Sequence, residues 1–250
     1  MKIRFPLIAL PVFFAMVACD SGSTEPDDFA TEDLTAQLSI SPNHFHIYET
    51  EGTFTVAVTD PRGRAVTDFE EIRLERQRAG TTNWSGTALT RGGDFYSAKY
   101  TFETKGSYTL RVTGRRAADT DLKVLYTAPQ PLEVVRAHAT VAGHNLEFEA
   151  VPGHIHLGDT AELNFWIDVS AGHAPAAPGD EIGFHLSVHH VFVTIGSTTD
   201  TLSVTQPEAG RFVASHEFST VGAAQIGIRF MADDHSEQEW SVPVTIHAPH

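Results

Sequence analysis

A histidine-containing segment occurs twice in this chain, 110 residues apart. The first copy reads Pro-Asn-His-Phe-His-Ile from Pro42, and the second reads Pro-Gly-His-Ile-His-Leu from Pro152. Further matches follow at a separation of 116 residues, such as Gly106 with Gly222. A period of this length is too long for a solenoid repeat and is typical of a domain duplicated in tandem. The growing separation predicts an insertion in the second copy, which we place at residues 188–206.

Apolar residues alternate with polar ones in both copies. The clearest runs are Phe54, Val56 and Val58 in the first copy and Leu163, Phe165 and Ile167 in the second. This period of two is typical of strands with one buried face, and no apolar helical stripe is evident after residue 35. Short strands at this spacing, in a unit of about 100 residues, predict an immunoglobulin-like sandwich. The predicted fold class is all-β, with two tandem immunoglobulin-like antiparallel β-sandwiches after a signal peptide and a disordered tether.

The first 18 residues have the features of a secretory signal. Lys2 and Arg4 precede an apolar run from Leu7 to Val17, which is too short for a stable membrane span. Cys19, the only cysteine, follows a small residue, as in the lipobox of bacterial lipoproteins, where cleavage precedes a cysteine whose thiol is lipidated. An ordinary secreted protein is the alternative, but an unpaired thiol is unusual in an oxidising compartment. We therefore expect a lipid anchor on Cys19.

Composition divides the rest of the chain. Residues 20–33 hold six acidic residues and no basic ones, and such a segment cannot bury enough apolar surface to order itself. The predicted division is a lipoprotein signal peptide at 1–18, an acidic tether at 19–36, a first sandwich at 37–136 and a histidine-rich second sandwich at 137–250. Asp20 resembles the signal that retains enteric lipoproteins in the inner membrane. Because other phyla need not follow that rule, the choice between inner and outer membrane stays open.

The charge of the chain excludes a nucleic-acid partner. It has 17 basic and 32 acidic residues, a net charge of −15 at pH 7, and phosphate backbones would be repelled. With the signal and the anchor, this balance favours a bacterial cell-envelope protein on the periplasmic or extracytoplasmic face. The expected partners are the membrane, through Cys19, and an envelope protein whose identity the sequence does not give.

Two sets of residues resemble bacterial immunoglobulin-like domains of the YtkA-like and FixH-like type. One is the Pro152–Asp159 segment before Leu163, and the other is Gly210-Arg211-Phe212 followed by Phe218 and Gly222. The resemblance extends over both copies, from about residue 40 to residue 246. It implies a sandwich fold and an envelope location, and some such domains are linked to copper or to respiratory assembly.

Twelve of the fourteen histidines fall in the second copy. His154 and His156 are two apart on a predicted strand, so their side chains share a face, with Cβ atoms roughly 6–7 Å apart. Two imidazoles at that spacing can bind Cu(II) or Zn together with further donors, for which we name His185, His189 and His235. In the alternative interpretation Ile155 and Leu157 point inward, as do Phe45 and Ile47 in the first copy, and the histidines are ordinary polar surface residues.

The sequence favours a non-catalytic protein. It contains no nucleophile elbow, zinc-protease helix, phosphate loop or dinucleotide fingerprint. Glu147 and Glu149 could form a carboxylate pair, but they alternate with apolar residues and are explained by the solvent face of a strand. Two function classes remain: an envelope protein that binds Cu(II) or Zn through the second copy, and a partner-binding or scaffolding subunit of a membrane complex without metal.

Overall fold

The computed structural model describes residues 30–168, 187–232 and 234–249. The predicted signal peptide, Cys19 and His185 lie outside the described residues. Within these ranges the only helical element is a 3-10 turn at Thr31–Asp33, and every other element is a strand. No helix of this part of the chain is long and apolar enough to span a membrane.

The first sandwich is built from ten strands. In chain order these are β1 (Thr35–Ser41), β2 (Phe45–His46), β3 (Glu51–Thr59), β4 (Phe69–Arg78), β5 (Ser85–Ala88), β6 (Thr90–Gly92), β7 (Phe95–Thr101), β8 (Gly106–Arg116), β9 (Lys123–Thr127) and β10 (Leu132–Val135). One sheet has the order β1-β3-β7-β6, and the other has the order β2-β10-β8-β4-β5, with β9 also paired to β8. Every pairing is antiparallel except that of β2 with β10.

The second sandwich repeats this arrangement. Its strands are β11 (Ala137–Val141), β12 (His144–Val151), β13 (Ile155–His156), β14 (Thr160–Asp168), β15 (Ser187–Ile195), β16 (Thr198–Leu202), β17 (Thr205–Glu208), β18 (Arg211–Glu217), β19 (Gly222–Met231) and β20 (Glu237–His247). The two sheets have the orders β11-β12-β14-β18-β17 and β13-β20-β19-β15-β16. Again a two-residue strand, β13, is the parallel partner of the last strand, β20.

The repeated topology confirms the predicted fold class of tandem antiparallel sandwiches. Gly106 and Gly222, matched by sequence, begin the equivalent strands β8 and β19. Their φ angles of 141° and 121° lie in the region that side-chain-bearing residues rarely adopt, which explains why glycine stands at both positions. Phe102 and Phe218, also 116 residues apart, are both fully buried just before these strands.

The predicted insertion at 188–206 is wrong. The β15–β16 hairpin has an equivalent in β4–β5, since Arg76 lies opposite Leu110 and Val193 lies opposite Ile226. Arg76 and Val193 are therefore equivalent, 117 residues apart, so the separation has already grown before β15. Strands β3 and β14 still correspond at 109 residues, which places the extra residues between β14 and β15, outside the described part of the chain.

The predicted tether ends too late at residue 36. Thr31 is buried, and its hydroxyl donates a hydrogen bond to Asp119 Oδ2 at 2.7 Å. Leu34 and Ala36 are buried as well, and β1 begins at Thr35. The prediction relied on the acidic composition of this stretch and overlooked these two apolar residues, which occupy inward positions. Its last six residues therefore belong to the first sandwich, and the other predicted boundaries stay predictions.

The inward positions of the repeated segment are confirmed at three of four places. Phe45, Ile47 and Ile155 are at most 1% exposed, whereas Leu157 is 37% exposed. The chain turns away from the sandwich directly after the two-residue strand β13, so Leu157 no longer follows the strand alternation. In the first sandwich, the corresponding turn after β2 lies against the second domain. There Tyr48 packs against Phe148 with ring centroids 5.8 Å apart.

Candidate metal centre at the domain junction

Several side chains of the first sandwich reach directly into the second. The Tyr48 hydroxyl donates a hydrogen bond to the Gly153 carbonyl at 2.8 Å, and the His138 amide donates to Glu49 Oε2 at 3.0 Å. Lys105 forms an ion pair with Glu149 at 2.7 Å. Tyr48 and Glu49 lie in the turn after β2, and Lys105 lies in the turn between β7 and β8.

Glu103 lies in that turn, and its two carboxylate oxygens reach two histidines of the second domain. Oε1 accepts a hydrogen bond from His247 Nε2 at 2.9 Å, and Oε2 contacts His154 Nδ1. One ligand atom from each of the three residues lies within 4.8 Å of the other two. Among the described residues, no other group of three His, Cys, Asp or Glu side chains has that spacing.

The parallel pairing of β13 with β20 brings the histidines together. It places His156 opposite His247, and His154 stands one residue before β13. The rings of His154 and His247 are stacked with centroids 4.0 Å apart, and those of His154 and His156 are 4.7 Å apart. The predicted shared orientation of His154 and His156 thus holds, and the third histidine comes from the last strand.

A backbone carbonyl fixes the orientation of His156. Its Nδ1 lies 3.0 Å from the Ala248 carbonyl oxygen, and because a carbonyl can only accept, Nδ1 must carry the hydrogen. The first sandwich repeats the arrangement, with His46 Nδ1 at 2.9 Å from the Arg136 carbonyl oxygen. Hydrogen bonds of this kind set the tautomer of metal-bound histidines. In the first sandwich, Val135 stands where the second has His247, so the triad forms only once.

The chemistry of this donor set fits a divalent metal. Two imidazole nitrogens and one carboxylate oxygen are ligands that zinc accepts, and imidazole also suits Cu(II). The side chains of His154 and His247 are 44% and 33% exposed, while that of Glu103 is 19% exposed. An ion held there would have protein ligands on one side and solvent on the other, and would exchange readily.

The other predicted donors do not join this group. His189 lies on β15, and its Nδ1 is 3.8 Å from Glu237, the first residue of β20, whereas His247 is the last. Strand β20 has eleven residues, so its two ends, and with them the two histidines, lie roughly 30 Å apart. His235 lies in the turn before β20, at the same far end. The predicted grouping of His189 and His235 with His154 and His156 is therefore wrong.

Sequence reasoning missed Glu103 and His247. His247 carried a weak signal, since it follows the buried strand residue Ile246 and so faces the opposite side of the sheet. Nothing in the sequence indicated that β13 would pair in parallel with the end of β20. Glu103 carried no signal at all, because it reaches the site across the domain junction.

Tyr48 makes the junction sensitive to alkaline pH. Burial raises the pKa of Tyr48, and the nearby Glu103 carboxylate raises it further. Between the ordinary tyrosine pKa of about 10 and this raised value, the unfolded chain loses a proton that the folded chain keeps. Stability therefore falls as pH rises through this window, and the contribution of Tyr48 is fully present below it.

We expect Tyr48→Phe to be less stable than the wild type near neutral pH, by about 1 kcal/mol, because the hydrogen bond to Gly153 is lost. The variant should lose less stability than the wild type between about pH 8 and about pH 11, since Phe does not titrate. Urea unfolding at both pH values measures the difference. Equal losses in both proteins would contradict a role of Tyr48 in the alkaline response.

No known protein family matches the sequence, and no curated protein matches it. Solved structures that resemble the fold include the Yersinia pseudotuberculosis adhesin InvE, with 14% identity and a TM-score of 0.33 over 87% of this chain and 60% of that one. Invasin, a bacterial integrin-binding protein, has 16% identity and a TM-score of 0.34 over 86% and 40%. The Escherichia coli adhesin FdeC has 16% identity and a TM-score of 0.30 over 86% and 64%. The chain spans less than two thirds of the length of each.

The strand orders and the junction define the class of this molecule. It is a tandem immunoglobulin-like β-sandwich protein with a cluster of potential metal ligands between its two domains. The finer resemblance to YtkA-like and FixH-like domains stays a prediction.

Proposed function

We propose that this chain is a non-catalytic, lipid-anchored protein of the bacterial cell envelope that binds one divalent metal ion, Cu(II) or Zn. The ligands are Glu103, His154 and His247, with His156 beside them. The observation that carries the proposal is the convergence of three donor atoms from two domains within 4.8 Å of one another. The resemblance to YtkA-like and FixH-like domains supports the same envelope location.

A metal ion would displace the hydrogens that now lie between these side chains. Where a ring nitrogen of His154 or His247 faces a Glu103 oxygen, a hydrogen lies between them. A nitrogen that binds a metal cannot keep that hydrogen, which then moves to the other ring nitrogen of a neutral histidine or leaves a charged one. The same three side chains therefore join the domains in either state, through hydrogen bonds without metal and through coordination with it.

Calorimetric titration of the untagged protein tests the metal proposal. We expect binding of one Zn or Cu(II) ion per chain. Metal analysis of protein purified from its own envelope shows which ion it carries. Absence of binding for both ions, together with copurification of a membrane complex, would contradict the proposal and favour the scaffolding alternative.

The lipid anchor is supported by the N-terminal sequence alone. Lys2 and Arg4, the apolar run and the solitary Cys19 after Ala18 are its basis. We expect Cys19→Ser to move the protein from the membrane fraction to the soluble fraction, because no thiol remains to be lipidated. Immunoblotting of fractionated cells measures this. A variant that stays with the membranes through washing would contradict the anchor and leave the metal proposal intact.

A further inference from the structure

A groove of about 530 Å³ opens at the end of the first sandwich that faces the second domain. Its lining is rich in arginine and tyrosine, and it also includes two residues of the metal centre. The residues that matter here are Arg76, Arg78, Tyr100, Tyr108, Glu103 and His154. The groove and the metal centre are thus neighbours with different chemistry.

The two arginines occupy inward positions of β4. Leu74 is buried in the core, and Arg76 and Arg78 continue the same face at a spacing of two residues. The equivalent positions in the second sandwich are Val193 and Ile195, opposite Ile226 and Ala224 of β19. The same fold therefore accommodates aliphatic side chains at the two positions that the arginines occupy. The arginines are not a requirement of the sandwich.

Arg76 and Arg78 lack the carboxylate partner that most arginines of the described residues have. Arg76 is only 9% exposed, donates a hydrogen bond from Nη1 to the Thr87 hydroxyl at 2.7 Å and lies over the Tyr100 ring at 3.5 Å. Neither Arg76 nor Arg78 forms an ion pair with any carboxylate of the described residues. Arginines with a carboxylate partner include Arg111, Arg115, Arg116, Arg136, Arg211 and Arg229.

An acidic chain offers carboxylates in excess, so two arginines without one at the same groove indicate a ligand that supplies the negative charge. Burying a guanidinium is costly unless an anion compensates it. We infer that this groove binds a small oxyanion, a carboxylate or a phosphate group, through Arg76 and Arg78. The planar guanidinium can donate two parallel hydrogen bonds to either group. Glu103, the carboxylate that also lines the groove, is already engaged by His154 and His247.

This inference does not depend on the metal, so it is tested on metal-free protein. The probes are inorganic phosphate and citrate, each titrated into the labelled protein while amide chemical shifts are followed by NMR. We expect shifts at the groove and an affinity that falls about tenfold or more in Arg78→Gln, as for loss of a charged hydrogen-bond pair. Arg78 carries the test because it is exposed, whereas replacing the buried Arg76 could unfold the sandwich.

Arg91→Gln is the matched control. Arg91 is exposed on β6, away from the groove, and it too forms no ion pair with a described carboxylate, so the change in net charge is the same. Its variant should bind both probes as the wild type does. Binding of phosphate alone or of citrate alone supports the inference and shows whether the groove selects a phosphate or a carboxylate group. Absence of binding for both probes at millimolar concentration, or equal weakening in Arg91→Gln and Arg78→Gln, would overturn it.

Discussion

His247→Ala is expected to lower the affinity for Zn and Cu(II) by at least about a hundredfold, because it removes one of three protein ligands, and loss of even an outer partner of a ligand costs roughly 10–100-fold. The change should leave the fold intact, since the His247 side chain is 33% exposed and lies at the end of β20. Competition with a chromophoric chelator measures affinities over this range.

His189→Ala is the control for this prediction. It also removes one histidine from a strand of the second sandwich, but at the opposite end of β20. Its affinity for either ion should equal that of the wild type. If His189→Ala weakened binding and His247→Ala did not, the metal would lie among the histidines expected from the sequence and not at the domain junction.

Gly153→Ala is expected to disturb the site without touching a ligand. A Cβ atom at residue 153 would lie 2.3 Å from the carbonyl oxygen of Glu103 and 2.8 Å from Thr104 Oγ1. Glu103 and His154, the residue after Gly153, would have to move apart to relieve this contact. We expect a loss of about 1–3 kcal/mol in the free energy of unfolding, as for other overpacked contacts, together with weaker metal binding by about tenfold or more.

Gly86→Ala provides the comparison for that variant. Gly86 lies on β5, and a Cβ there would have ordinary contacts, the nearest at 3.5 Å from Arg73 Cδ. Chemical denaturation and metal titration of both variants measure the two effects. If Gly153→Ala matched Gly86→Ala in stability and in affinity, the close approach of the two domains at Glu103 would be contradicted.

The fold could be predicted because its signals are local and occur twice. Alternation around Phe54 and Phe165 gives each copy its buried strand face, and Gly106 and Gly222 mark equivalent strand starts. The position of the insertion could not be predicted in the same way. Its place follows from the equivalence of Arg76 and Val193, which is known only from the residues that each faces on the neighbouring strand. Such strand pairing is not visible in one sequence.

The site could be predicted only in part, for a physical reason. His154 and His156 share a side because neighbouring strand residues alternate, which is a local property. Their third partner depends on which strand end lies beside β13, and the parallel pairing with β20 selected His247 over His189. Glu103 depends on how two domains pack. Residue type and spacing cannot supply either of these relations.

The most direct test of a metal at the domain junction is anomalous diffraction from crystals of the full chain grown with zinc. We expect one strong peak bonded to a ring nitrogen of His154, a ring nitrogen of His247 and a carboxylate oxygen of Glu103, at about 2.0–2.2 Å from each. A peak beside His189 and Glu237, or no peak between the two sandwiches, would contradict it.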